Sequence, residues 1–448
     1  MNILRHTTIF LFLAFCAQPV LAHRPDIGTG KVAPSSEVLE LREDCAPSRS
    51  SIDMDINNVR ARLLGGGDVW WDLTEGKYIV PKVDPASGLP EVSSIFAGAV
   101  WLGGYDPVGN LKLAAQTYRT GSTNDFWPGP LDPVLGSVDF ETCANWDRHF
   151  EVSGANIARH IANYNKAIQA GEDYDCESIP EDILEWPARG NPYFAELVGF
   201  ELPNTTQGLA SFYDRNGNGL YDPCDGDYPV IDIIGCHAPQ YPDQMIFWIY
   251  NDAGGIHTQT QGKPIQMEVQ VQAFAYSTND EINDMTFQHY KLINRATSTI
   301  DSTFFAMWVD PDLGCYTDDY IGCDTSRSMA YVYNEDAVDG ETGCSCPQGV
   351  NTYCDAIPIL GVDYFRGPHD ENGNEIGMSS FTYYNNQAVG NWPNAQTDPQ
   401  VAQEYYNYLS GSWKDGTPFT YGGSAFQVGG TPIDYAFTEA PNNSAGWS

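Results

Sequence analysis

The stretch 266–276, QMEVQVQAFAY, decides the fold class. Met267, Val269, Val271, Ala273 and Ala275 alternate with Glu268, Gln270, Gln272, Phe274 and Tyr276. Alternation over this length sends successive side chains to opposite faces, the period of a β-strand and not of a helix. A polar turn at Ser277–Asp284 leads into Met285–Asn294, and another at Arg295–Ser302 leads into Thr303–Val309. Three such runs joined by polar turns predict an antiparallel meander. Upstream, Ser94–Leu102 and Leu111–Tyr118 flank the turn-forming stretch GGYDPVGN at 103–110, which predicts a hairpin. Helical spacing is confined to two intervals. Ile157, Ile161, Tyr164 and Ile168 recur behind Ser153 as a cap, and a short helix follows Asp398-Pro399 through Tyr405 to Leu409. The expected fold is mainly β: antiparallel, β-sandwich-like sheets with long loops and one or two short helices. No fixed-period repeat is present, which disfavours a solenoid or propeller.

The chain has 448 residues, 42% hydrophobic and 13% aromatic, enough to build a sizeable core. Lys and Arg number 22 against 59 Asp and Glu, a formal net charge of −37. Such a surface repels phosphate backbones and anionic headgroups, so no nucleic-acid partner is expected, whereas divalent cations are attracted. Residues 1–22 read as an export signal, with basic Arg5, an apolar core from Ile9 to Phe15, and Val20-Leu21-Ala22 as the cleavage site. That core falls short of the ~20 apolar residues a membrane span needs, and no later segment reaches that length. Residues 23–57 follow as an extended leader. Residues 58–240 form a β-rich region with a helical insert, and residues 241–448 a sandwich-like region expected to continue further. Ten of the 11 cysteines lie beyond the signal, and an even number in an exported chain predicts disulfides. The local pairs Cys315–Cys323 and Cys224–Cys236 are the first candidates. A zinc site on Cys344, Cys346 and Cys354 is the competing reading.

The strongest chemical motif is DRNGNGLYDPCD at 214–225. Asp214, Asn216, Asn218, Leu220 through its carbonyl, Asp222 and Asp225 fall at the ligand positions of a twelve-residue calcium loop, and Gly219 stands at the sharp turn. Calcium takes six to eight hard oxygens, which alternate residues of a tight loop can aim inward. The flanks do not continue as helices, so the expectation is an isolated calcium loop between strands; the competing reading is a metal-free Asn/Gly/Asp turn. A second candidate is DPDLGCYTDD at 310–319, where Asp310, Asp312, Asp318 and Asp319 crowd four carboxylates that need a cation or full solvation. A weaker one starts at Asp370-Glu371-Asn372. Catalytic signatures are missing: there is no His-Glu-x-x-His, Gly-x-Ser-x-Gly, phosphate-binding or dinucleotide motif. Trp127, between Phe126 and Pro128 in a loop, is the candidate for stacking on a sugar or docking a partner.

The ordered motifs GGDVWWDL, YIVPKVDP, EVSSIFAGAVWLGG, AAQTYRTGSTNDFWPGPLD, DRNGNGLYDPCDGDYPVI, WVDPDLGCYTDDYIGCD and WKDGTPFTYGG resemble the long secreted proteins of Bacteroidetes that leave by the type IX secretion system. The resemblance runs from about Asn58 to Gly423 and implies a secreted or cell-surface location, with further sandwich repeats and a sorting domain beyond. Together these readings lead to two expectations. One is a calcium-stabilised structural or adhesive protein without catalysis, meeting divalent cations and other surface proteins. The alternative is a carbohydrate-binding module or glycoside hydrolase acting on extracellular polysaccharide with paired carboxylates.

Overall fold

The computed structural model describes residues 44–119, 123–232, 239–340, 344, 352–370, 372–427 and 429–439, with the backbone of Thr7–Phe12. The protein is mainly β, 28% strand against 16% helix. In chain order the strands are β1 Thr7–Phe12, β2 Ser51–Met54, β3 Arg60–Leu64, β4 Asp68–Val69, β5 Tyr78–Ile79, β6 Ala97–Tyr105, β7 Leu111–Ala115, β8 Trp127–Pro128, β9 Phe150–Ser153 and β10 Phe212–Tyr213. They continue with β11 Tyr228–Pro229, β12 Gln244–Asn251, β13 Met267–Ala275, β14 Phe287–Asn294, β15 Asp301–Asp310, β16 Asp319–Asp324, β17 Met329–Asn334, β18 Leu360–Asp363 and β19 Phe381–Asn385. The helices are α1 Phe140–Trp146, α2 Gly154–Ala170, α3 Glu181–Leu184, α4 Phe194–Val198 and α5 Ala402–Leu409.

The largest sheet has nine strands, ordered β19-β1-β15-β6-β4-β3-β2, with β5 beside β3 and β7 beside β6. A five-stranded sheet runs β14-β13-β12-β8, with β9 also on β12; β16-β17-β18 and β10-β11 make two small ones. The nine-stranded sheet takes strands from both sides of residue 240, so the two expected regions interleave. Within the expected leader, Ser51–Met54 forms an edge strand on β3. Within the expected signal, Thr7–Phe12 lies antiparallel between β15 and β19. Among the described residues no helix is long and apolar enough to cross a membrane.

The predicted hairpin forms from β6 and β7, closed by Asp106, whose carboxylate accepts the amides of Val108 and Asn110. The predicted meander splits. β13 and β14 pair as expected, Met267 opposite Asn294 through Phe274 opposite Phe287. β15, however, leaves for the nine-stranded sheet, with Phe305 opposite Leu102 and Val309 opposite Gly98. The reason is burial on both faces. Phe305–Val309 is a continuous apolar run and needs a central position, whereas β14 is a mostly half-buried edge.

β12 and β13 stand between two cores. Ile246, Trp248 and Tyr250 face a large core with Val269, Val271, Trp101 and Trp308; Met245, Phe247 and Ile249 face a second with Trp186, Phe150 and Tyr221. The even residues of β13 are therefore buried as well, although the alternation suggests a solvent face. Glu268 is held by Arg295 at 3.0 Å, and Gln272 donates to the Val230 carbonyl at 2.9 Å. Buried polar groups are tolerated when so paired.

The helix at 154–170 forms as predicted, but the Ser153 hydroxyl makes no cap bond; the Asp182 carboxylate accepts the Ser153 amide instead, at 3.1 Å. α5 lays Tyr405, Tyr406, Tyr408 and Leu409 on the large sheet, with the Tyr405 and Trp101 rings 4.5 Å apart.

Disulfides join Cys45 to Cys143, Cys176 to Cys224 and Cys315 to Cys344, and Cys354 is also disulfide-bonded. Both local pairings are thus replaced by longer-range ones, because the chain returns Cys176 and Cys344 to these sites. Cys323 is a buried free thiol, pushed by burial up to about 12. With Cys344 and Cys354 oxidised, the zinc reading fails. Cys236 and Cys346 lie outside the described residues.

Candidate metal centre

The loop at 214–225 is built as a series of tight turns. Asp214 accepts the amides of Gly217 at 2.7 Å, Asn218 at 3.2 Å and Gly219 at 2.7 Å. Asn216 accepts the Asn218 amide and donates to Asp225 at 2.9 Å; Asn218 accepts the Leu220 amide at 2.7 Å; Asp222 accepts the Cys224 amide at 2.9 Å. Leu220 is exposed. The base of the loop is held by Asp227, fully buried, which accepts the amides of Arg215 at 2.8 Å and Asp222 at 2.9 Å. Asp227 was not in the predicted set, since it falls two positions past the motif. Each of these bonds is made within the loop itself.

The acids at 310–319 are arranged differently. Among the described residues, the one group of three acid, histidine or cysteine side chains whose ligand atoms all lie within 4.8 Å is Cys315, Asp318 and Asp339. Because Cys315 is in a disulfide, the donors there are carboxylates. Asp339 accepts the Cys315 amide at 2.9 Å and the Tyr353 amide. Asp318 accepts the Gly340 amide at 3.3 Å, and Asp319 the Leu313 amide at 2.9 Å. One oxygen of each, Asp318 Oδ1 and Asp319 Oδ1, is buried with no hydrogen-bond partner. Burial pushes the Asp318 carboxyl up and those of Asp312 and Asp319 well above the usual range, and neighbouring carboxylates push in the same direction. Asp310, at the end of β15, accepts the Tyr118 hydroxyl and pushes Asp312 up through its charge. Of the four predicted acids, Asp318 and Asp319 therefore gather beside Asp339, and Asp312 acts on Asp319 through its charge. Asp339 lies twenty residues downstream of Asp319, where no local motif could have marked it.

The turn leading into this cluster depends on Gly314, which has φ +74°; a Cβ there would stand 2.1 Å from Asp339 Oδ2. Gly314→Ala is expected to cost about 2–3 kcal/mol, from left-handed strain and displacement of the carboxylate. Chemical denaturation measures it, and a loss within 0.5 kcal/mol of zero, roughly the spread of neutral surface changes, contradicts this packing.

At 370–374, Asp370 accepts the amides of Asn372 and Asn374, both at 2.8 Å, in an ordinary turn; Glu371 lies outside the described residues.

Trp127 is not the exposed ring expected of a sugar platform. It is 4% exposed, packed on the Cys45–Cys143 bridge, under Gly254 and Gly255, with the His257 ring 5.8 Å away. His257 itself is fully shielded, its two nitrogens 2.8 Å from the Leu113 carbonyl and 2.7 Å from the Asp252 carbonyl. The Asp125 and Asp252 carboxylates stand 3.6 and 3.9 Å from the ring nitrogens. The NDFW segment is anchored from inside.

A pocket of about 290 Å³ lies beside β9, lined by Arg148, His149, Glu151, Asp182, Glu185 and Leu197 among others. His149 Nε2 is buried there without a partner, and burial lowers this imidazole to about 4. In the unfolded chain a histidine titrates near 6.5. The folded protein should therefore keep its full stability above pH ~6.5 and lose on the order of 3 kcal/mol as pH falls toward 4, the unfolded chain binding the proton first. Parallel urea melts of wild type and His149→Gln at pH 7 and pH 4.5 read this. Equal pH dependence in the two would show that His149 is not the group responsible.

No family model, curated protein or solved structure matches the chain.

Proposed function

We propose that the protein is an exported, calcium-stabilised structural or adhesive component of the cell surface or its surroundings. One observation carries the reading: two buried carboxylate oxygens, Asp318 Oδ1 and Asp319 Oδ1, lack partners beside Asp312 and Asp339. Uncompensated buried carboxylates are costly, and a hard divalent cation both neutralises them and uses their free lone pairs. Asp318 and Asp339 would hold the ion, with Asp312 and Asp319 adding charge beside them. Three long-range disulfides and an acidic surface fit an oxidising, cation-rich exterior.

A ligand that binds only the folded state at a hundredfold excess over its Kd adds about 2.7 kcal/mol. Wild type should therefore melt several degrees higher in calcium than in chelator. Asp318→Asn should lose that gain while matching or exceeding wild type in chelator, because it removes a buried like charge. Asp214→Asn separates the two loops: retention of the gain assigns it to the 312–339 cluster. If wild type shows no calcium-dependent shift, the reading is rejected.

A further inference from the structure

The second position from one edge of the nine-stranded sheet holds an unusual occupant. β1 is the middle strand between β15 and β19, with Ile9 opposite Val309 and Phe12 opposite Ala306 on one side, and Thr7 opposite Asn385 and Leu11 opposite Phe381 on the other. This segment overlaps the apolar core, Ile9 to Phe15, of the stretch that reads as an export signal. Its removal would leave β15 and β19 about two strand spacings apart, near 9.6 Å, with facing rows of unpaired backbone amides and carbonyls. Both walls are deeply buried from Phe305 to Val309 and from Phe381 to Asn385. On its far side, among the described residues, β19 has isolated bridges only, Phe381 to Tyr435 and Asn385 to Thr397.

We propose that this slot is a strand-acceptor groove, filled in the exported protein by an extended, apolar, proline-free segment of about six residues from another polypeptide. The inference rests on the removal of residues 1–22 and is independent of calcium. Three features support it. The slot accepts a six-residue extended segment, as β1 demonstrates by its registered backbone pairing on both sides, and its walls are mostly apolar and buried. Every other described strand already has its place in a sheet, so the described residues hold no spare one. Addition of a strand between two edges satisfies main-chain hydrogen bonds on both sides, the physical basis of strand donation between proteins.

The test uses the chain from His23 and a synthetic peptide of residues 7–12 flanked by lysines for solubility. Intact mass of the exported protein first establishes whether the signal has been removed; retention of residues 1–22 overturns the proposal. With the signal removed, the chain should bind the peptide saturably at one to one and melt about 5 °C higher with the peptide in excess. A Phe10→Pro peptide should bind at least about tenfold more weakly, since proline removes a ladder donor and clashes in a central strand. Should the shortened chain be insoluble alone, refolding with the peptide should restore soluble protein, and failure to do so overturns the proposal. Absence of peptide binding, or dimers of the shortened chain that exclude the peptide, would show that the groove closes on itself or takes a second copy.

Discussion

The Cys45→Ala/Cys143→Ala double variant is expected to lose about 4–5 kcal/mol of stability. The bridge closes a loop with a sequence separation of 98. By loop-closure entropy a crosslink of that span destabilises the unfolded chain by ~4.7 kcal/mol, the largest such value among the three described pairs. Two packing losses add to this. Trp127 rests on the sulfurs, and the Cys45 amide donates to the Gly254 carbonyl at 3.0 Å, so the bridge also fixes the glycine pair that covers the indole. Denaturant melts of oxidised wild type and the double variant provide the measurement. A difference below about 1 kcal/mol would mean that residues 44–50 are held to the body without the bridge.

Glu268→Ala should cost a similar amount, about 3–5 kcal/mol, by a different route. Glu268 is fully buried in the five-stranded sheet and binds Arg295 through two contacts, 3.0 and 3.1 Å, while also accepting the Leu131 amide at 3.0 Å and the Gln270 side chain at 2.8 Å. Arg295 in turn reaches Gln207 and Thr205. Alanine leaves a buried guanidinium without its anion and removes an acceptor from two other donors, the Leu131 amide and the Gln270 side chain. The informative comparison is the double variant Glu268→Ala/Arg295→Met, which should recover much of the loss by removing the stranded charge. If the double is as unstable as the sum of the singles, the pair is not the unit that matters.

The legible parts of this chain were those governed by local spacing. Alternation at 267–275, the hairpin around Asp106 and the repeat from Ile157 all gave the right element, because each signal lies within one turn or strand. Partnership was not legible. The run 303–309 announces a strand but not which sheet will cover both its faces, and Asp106-type turns look the same in sequence whether or not a metal is near. Hence DRNGNGLYDPCD, which matches a ligand pattern position by position, folds into amides that satisfy its own carboxylates, whereas the acids at 318–319 acquire Asp339 only by tertiary folding. Cysteine pairing was hidden for the same reason: separations of 29, 48 and 98 carry no local trace.

The placement of β13 between two cores also gives that strand an alignment key. One face carries Val269, Val271 and Ala273, the other Glu268, Gln270 and Gln272 with their dedicated partners. A slip of a single residue against β12 would exchange the two sets, thrusting an acid and two amides among tryptophans and stranding Arg295. Every odd-numbered slip of this hairpin is thus penalised on both sides at once, so the polar half of the repeat proofreads the greasy half.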